Sequence, residues 1–416
     1  MVPNTMKNFR YSVKHSLSIK KAFPFFGPAF LVSVGYIDPG NWATNIEGGA
    51  SFGYMLLWVL LLSNLMAILL QSLAAKLGVA TEKSLAENCR EHFNRPLTLF
   101  LWGTAQLAAM ATDLAEFLGA ALGIHILLGI ALFPSALIAG VVTFLILTLN
   151  RFGYRIVERL IFLFIGVVAS VYIIELFIAK PDWAAIGTHV VIPHLNSGAM
   201  LVAIGMLGAT VMPHNIFLHS SVVQHRLKKG NDRHNYRVYK GSIVDSAVAL
   251  NLAWFINSAM IVMAAAVFFQ SGVSVNSIEA AYTTLTPLLG GFAGFVFAIA
   301  LLSAGLSSSV TGTMAGQYIL EGFLKMNIPL WLRRAATMIP ALIIIALGIN
   351  TLKALVLSQV VLSLQLPFTI IPLIFFTRSK KIMGRYANKP ITNILAILTT
   401  CIVISLNLVL LYVTFQ

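Results

Sequence analysis

Asp38-Pro39-Gly40-Asn41 and Met212-Pro213-His214-Asn215 each interrupt a long apolar stretch near its middle, with their prolines 174 residues apart. A proline inside a membrane helix removes a backbone donor and clashes with the preceding turn, so nearby carbonyls need other partners. Both breaks carry cation-holding groups: an anionic oxygen on Asp38, a neutral one on Asn41, a thioether on Met212, and the Ala209 carbonyl, exposed one turn before Pro213. Two broken helices at corresponding places in two halves of a chain point to a secondary transporter with its substrate near the bilayer midplane. Oxygen ligands plus one sulfur suit a divalent transition ion, whereas magnesium, calcium and sodium have little use for the sulfur. A methionine beside a proline kink is also ordinary core packing. Asp38 is different, because a carboxylate at the bilayer centre costs about 2.5–3.5 kcal/mol even on the mildest scale.

The 416-residue chain is 58% hydrophobic and 10% charged, against about 45–50% and about 25% in a soluble domain. With a mean hydropathy of +0.86, it is read as an all-α membrane protein. Apolar blocks near the roughly 20 residues that cross a bilayer lie at 24–50, 53–77, 97–123, 126–149, 155–178, 198–224, 242–270, 286–318, 331–349, 353–376 and 390–415. They predict eleven transmembrane helices in a multi-pass chain.

A net charge of +14 raises nucleic acid or anionic lipid as partners, but its placement is that of a topology signal. With a cytoplasmic N-terminus, 26 of the 28 Lys and Arg fall in inside segments, six of them between Arg226 and Lys240, and only Lys180 and Lys353 fall outside. An odd number of spans then places the C-terminus outside. The partner is the lipid bilayer, and no nucleic acid is expected. Cys89 and Cys401 indicate neither a disulfide nor a thiolate metal site.

A cytoplasmic segment, 1–23, precedes a first five-helix repeat, 24–178. An extracellular loop, 179–197, with Trp183 as interfacial anchor, leads to a second repeat, 198–376. Each repeat opens on a proline-broken helix, helices 1 and 6, and because five is odd the second is inverted relative to the first. A cytoplasmic loop, 377–389, joins the eleventh helix, 390–416, an appendage for stability or protomer contacts; an oligomer is possible but not indicated.

The strings Asp38-Pro39-Gly40-Asn41 and Ala209-Thr210-Val211-Met212-Pro213-His214 resemble the two signature motifs of the Nramp family of divalent metal transporters. The resemblance runs from about residue 24 to the C-terminus and includes Gly305 to Gln317 in span eight and Ser358 to Pro367 in span ten. It implies a LeuT-like architecture and import of Mn2+ or Fe2+ with protons across a bacterial inner membrane. It also implies Asp38, Asn41, the Ala209 carbonyl and Met212 as metal ligands, joined by Gln359 in some states. The metal is then cargo, and no prosthetic group is implied. Relatives that carry magnesium lack the methionine, so Met212 favours a transition metal. Leu306 departs from the glutamine usual in the family but touches none of these ligands.

Span three carries Asp113 and Glu116 at i, i+3, on one helix face. The resemblance places Arg333 and Arg334 beside them as a polar route to the cytoplasm, with Asp38 releasing a proton on metal binding and Asp113 receiving it. A structural ion pair is the other reading of the same residues. His214 and His219, five residues apart, do not share a helical face. As ligands they would indicate zinc or copper; a polar contact or pH-sensitive element suits them better, and the resemblance implies proton handling. Glu47 is read as vestibular and Asp245 as interfacial.

Two other functions use the same residues. A membrane metalloenzyme would activate water on the metal, but the chain has no His-Glu-x-x-His helix and no carboxylate next to His214. An amino-acid or sodium symporter would have no use for Met212 or a buried anionic Asp38. Without a Gly-x-x-x-x-Gly-Lys-Ser/Thr loop, transport is expected to run on gradients.

Overall fold

The structure, a computed structural model, describes residues 32–33, 35–149, 154–273, 275–289 and 291–414. The segment expected to be cytoplasmic at 1–23, the opening of the first span and the basic side chains of Arg151, Arg155 and Arg159 lie outside the described residues. Among those described there are helices and no strand. The main helices are α1 (Pro39–Phe52), α2 (Leu57–Thr81), α3 (Leu85–His92), α4 (Arg95–Leu128), α5 (Leu132–Leu149), α6 (Tyr154–Ala179), α7 (Trp183–Val191), α8 (Met200–Val211) and α9 (Pro213–Val222). They continue as α10 (Asp232–Ala264), α11 (Ile278–Leu289), α12 (Gly291–Leu324), α13 (Leu330–Ala346), α14 (Thr351–Arg378), α15 (Lys380–Met383) and α16 (Pro390–Thr414). Seven of the helical stretches are long and apolar enough to cross a membrane, and 132–146 and 163–179 are shorter apolar helices.

Two segments expected to be loops are partly helical. Asp182 caps α7, its carboxylate accepting from the Ala184 and Ala185 amides, so a helix occupies half of the 179–197 connection. Asn231 caps α10 at Asp232, which turns most of the basic run after the sixth span into the first turns of the next helix. In both places an Asx side chain satisfies the orphan amides of a helix start, a local signal that a hydropathy window does not register. Asp245, expected at an interface, is instead fully buried on α10, because that helix starts well before it.

The most extensive helix pairing is α4 against α12. Small residues make it possible: a Cβ on Gly305 would lie 2.6 Å from the Ala120 amide nitrogen, and one on Gly123 would lie 2.7 Å from the Leu302 Cβ. Close backbone approach of this kind is how membrane helices gain packing where lipid offers no hydrophobic drive. Gly119 extends the seam to the first break, since a Cβ there would lie 2.1 Å from the Pro39 Cγ. On the far side, Trp42 of α1 meets Tyr172 of α6 and Phe297 of α12 edge-on, with ring centroids 5.0 and 5.2 Å away. α1 thus touches α4, α6 and α12 through these side chains while packing most extensively on α10, and α8 and α9 pack on α2 and α14. α16 is tied to α14 where the Asn407 Nδ2 donates to the Ser363 carbonyl (2.7 Å) and Ser363 Oγ donates back to Asn407 Oδ1 (2.9 Å).

The seam predicts a contrast between two glycines. Gly305→Ala is expected to destabilise the fold by about 1–3 kcal/mol through overpacking, whereas Gly103→Ala, with nothing within 4 Å of its Cβ position, is neutral or stabilising. Thermal unfolding in detergent checks both; equal midpoints for the two variants would contradict the packing account.

Candidate metal site at two helix breaks

The first break is organised by Asp38. It caps α1, and Pro39 follows at the first helical position, where a missing N–H costs nothing. Asp38 Oδ1 accepts from the Asn41 backbone amide (2.8 Å) and from Asn41 Nδ2 (2.7 Å). Its Oδ2 is buried without a hydrogen-bond partner. One oxygen therefore builds the helix start and the other is left facing the interior.

The second break presents complementary groups. Pro213 has no N–H to offer the carbonyl four residues earlier, which is that of Ala209, and Asn41 Nδ2 donates to that carbonyl at 3.0 Å. One amide thereby links the two interruptions. Met212 lies between α8 and α9 with φ +43°, a left-handed conformation that costs an L-residue of this kind about 1–2 kcal/mol. Strain held at one such residue points toward function. Its side chain is fully buried, and Sδ accepts from Asn215 Nδ2 at 3.2 Å.

Gln359 enters from α14. A Cβ on Gly40 would lie 1.9 Å from Gln359 Nε2, and one on Gly208 would lie 2.2 Å from the Gln359 carbonyl oxygen, so both breaks have a glycine where α14 passes. Gln359 Nε2 donates to Ser358 Oγ at 2.8 Å, and Oε1 has no partner. The structure thus links Asp38, Asn41 and the Ala209 carbonyl by hydrogen bonds, lays Gln359 against Gly40, and buries Met212 three residues after Ala209. Asp38 Oδ2, Asn41 Oδ1 and Gln359 Oε1 are free acceptors beside a helix-free carbonyl and a thioether. Only one of the five donors is anionic. Among the described residues no group of three His, Cys, Asp or Glu side chains stands ready for a metal. A set of mostly neutral donors suits an ion that must be released, unlike the closed thiolate and imidazole shells of structural sites.

The histidines point elsewhere. His214 Nδ1 lies 3.1 Å from Thr112 Oγ1 on α4, and His219 Nδ1 lies 2.9 Å from Gln71 Oε1 on α2. Gln71 Nε2 in turn donates to the Tyr36 hydroxyl (2.7 Å), two residues before Asp38, and the Tyr36 carbonyl accepts from Asn257 Nδ2 (2.6 Å). Sequence reasoning missed Tyr36, Gln71 and Thr112 as neighbours of the site. The available signal for Gln71 was an amide inside an otherwise apolar span.

Asp113 and Glu116 on α4 meet Arg333 and Arg334 on α13. Arg334 Nη1 lies 2.9 Å from Asp113 Oδ1 and 3.7 Å from Glu116 Oε2, and Arg333 Nη2 lies 3.8 Å from Asp113 Oδ2. Arg334 Nη2 also donates to Ser309 Oγ (2.9 Å), and Arg333 Nη1 donates to the Thr313 carbonyl. Gly312 and Gly316 give the charges space: a Cβ at the first would lie 2.5 Å from Glu116 Oε2, and the second lies directly against the Arg333 guanidinium. All four residues are buried, and neither Glu116 oxygen accepts a hydrogen bond. Buried polar groups of opposite sign this far from water need one another as partners.

The chain is 50% identical over 401 residues, 96% of its length and 95% of the relative's, to a divalent metal cation transporter MntH of Caldanaerobacter subterraneus. A crystal structure of the Eremococcus coleocola manganese transporter superimposes with a TM-score of 0.84 at 35% identity, covering 95% of this chain and 88% of the other. Mhp1, a nucleobase-cation symporter, shares the fold at a TM-score of 0.64 with 14% identity, over 94% of this chain and 92% of that one. These relatives are transporters, none of them an enzyme. The family model described as Nramp, natural resistance-associated macrophage protein-like, matches residues 29–413, and the chain belongs to that family.

Proposed function

We propose that this protein is a secondary transporter that imports divalent transition metal ions, Mn2+ or Fe2+, together with protons by alternating access. The observation that carries the reading is that the two helix breaks are joined through Asn41 and the Ala209 carbonyl, with Asp38 Oδ2, Asn41 Oδ1 and Gln359 Oε1 buried without partners and the Met212 thioether buried at the second break. The likeness to divalent metal cation and manganese transporters supports it. In this reading Asp38, Asn41, Ala209 and Met212 hold the ion, and Gln359 joins them in some states. Asn41 exchanges its hydrogen bonds to Asp38 and Ala209 for metal contacts through Oδ1, so binding the ion loosens one link between the halves and makes another. The thioether disfavours magnesium and calcium, which take oxygen shells.

The full membrane arrangement belongs to the same proposal. Eleven spans, with helices 1 and 6 broken in two inverted five-helix repeats and an eleventh helix outside them, give a chain with its N-terminus in the cytoplasm and its C-terminus outside a bacterial plasma membrane. The Lys and Arg distribution supports that orientation. An inward-negative potential then favours divalent entry by about 2.3 kcal/mol per charge per 100 mV. Protons leave Asp38 when metal binds and pass to Asp113, with Glu116, Arg333 and Arg334 beside it as the polar route to the cytoplasm and His214 and His219 linking the sixth helix to α4 and α2. The support is that the carboxylates and guanidiniums form one buried cluster.

Three outcomes test this reading in proteoliposomes. Native protein takes up Mn2+ in the presence of excess Ca2+, and Met212→Ala lowers that discrimination at least tenfold, equivalent to about 1.4 kcal/mol; unchanged selectivity would remove the thioether from the site. Asp38→Asn abolishes metal uptake while the protein keeps its thermal stability and monodispersity, and retained uptake would refute the ligand assignment. Asp113→Asn uncouples proton flux from Mn2+ flux when both are recorded together. Normal coupling in that variant would leave the cluster as a structural ion pair.

A further inference from the structure

The helices that hold the metal site also form a separate cavity at one end of the molecule. It has a volume of about 480 Å³ and lies between the end of α1 (Glu47, Ser51), the start of α8 (Val202), the residues before α11 (Asn276) and the start of α14 (Lys353, Val356). Glu47 is six residues beyond Asn41 on α1, and at 1.5 Å rise per residue that is about 9 Å along the helix. Between cavity and site the three helices pinch together: a Cβ on Gly205 would lie 3.2 Å from Thr44 Cγ2 and 3.7 Å from the Val356 carbonyl oxygen. The cavity thus lies beyond this constriction from the candidate metal site.

Its charges are unusual for a cation entrance. Glu47 is half-buried, and its Oε1 has only a long hydrogen bond from Ser51 Oγ, at 3.4 Å. Lys353 lines the same cavity, exposed, without an ion pair to Glu47. A fixed ammonium at the mouth of a cation path repels cargo unless it does something else there. An ammonium tethered beside a carboxylate has a high effective concentration and one positive charge, so dissolved Na+ or K+ gains little by replacing it. A divalent cation carries twice the charge and is drawn more strongly to the carboxylate.

We propose that Glu47 is a capture site for the incoming divalent cation and that Lys353 is its built-in monovalent competitor, which makes the entrance select divalent over monovalent cations before the ion reaches Met212. This rests on the transport reading above and on this end of the molecule facing outward. Removing the ammonium leaves a bare carboxylate, attractive to every cation and sensitive to screening.

The test is the KM for Mn2+ uptake, at low and at physiological NaCl, in native protein, Lys353→Gln, Glu47→Gln, the double variant and Lys353→Arg. Lys353→Gln lowers KM about fivefold at low salt, and NaCl raises it back, while native protein and Lys353→Arg change little with NaCl. Glu47→Gln raises KM, and in its background Lys353→Gln has no further lowering effect. Equal KM in native protein and Lys353→Gln, or a Lys353→Gln effect that survives in the double variant, overturns the proposal and leaves the transport reading standing. No Mn2+ uptake by native protein overturns both. Lys353→Cys in a Cys89→Ala, Cys401→Ala background reacts with an impermeant maleimide from outside; reaction only from the cytoplasmic face would place the cavity on the wrong side and overturn the capture role.

Discussion

One side-chain amide holds the centre of this protein together. Asn41 Nδ2 donates to Asp38 Oδ1 within the first break and to the Ala209 carbonyl across the second. A proline stands behind both acceptors: Asp38 caps a helix whose first residue, Pro39, has no N–H in need of an acceptor, and Ala209 lacks its helical donor because Pro213 has none. In a bilayer such orphan groups must find partners inside the protein. Their mutual satisfaction brings two chain segments some 170 residues apart into contact, and the lone pairs left over are the ones able to meet an ion.

The surroundings keep those leftovers from being quenched. Gly40 and Gly208 let α14 approach closely enough to deliver Gln359, and Gly119 lets α4 reach Pro39. The α4–α12 seam then carries the second polar centre, where Asp113, Glu116, Arg333 and Arg334 share a volume opened by Gly312 and Gly316. The two buried polar centres differ in kind, one built of mostly neutral donors around a single aspartate and the other of paired charges, and α4 carries the second while touching the first through Gly119 against Pro39. A charged pair of this sort contributes little to stability in its own right.

Much of this was legible in the chain. Asp38, Asn41, Met212 and the freed Ala209 carbonyl follow from the chemistry of proline in an apolar helix, and spans can be read because bilayer thickness fixes helix length. Gln359 and the arginine partners of Asp113 came only with the family resemblance, since nothing in local spacing tells which distant helix will arrive. The helices at Trp183–Val191 and at the start of α10 were hidden because their signals are single capping residues, Asp182 and Asn231, in polar stretches. Tyr36 and Gln71 became part of the site through a hydrogen bond between two helices, which no periodicity encodes.

The sequence by itself determined that the chain lies in lipid, where its helices break and which chemical donors those breaks release. These are local consequences of hydropathy and of a missing backbone N–H. The tertiary structure decided which donors are used up and which stay open: Asp38 Oδ1 is spent on Asn41 while Oδ2 is not, and Gln359 faces Gly40 from α14. It also put Glu47 and Lys353 into one cavity. Those outcomes depend on how closely helices approach one another, a property of glycine contacts between remote segments.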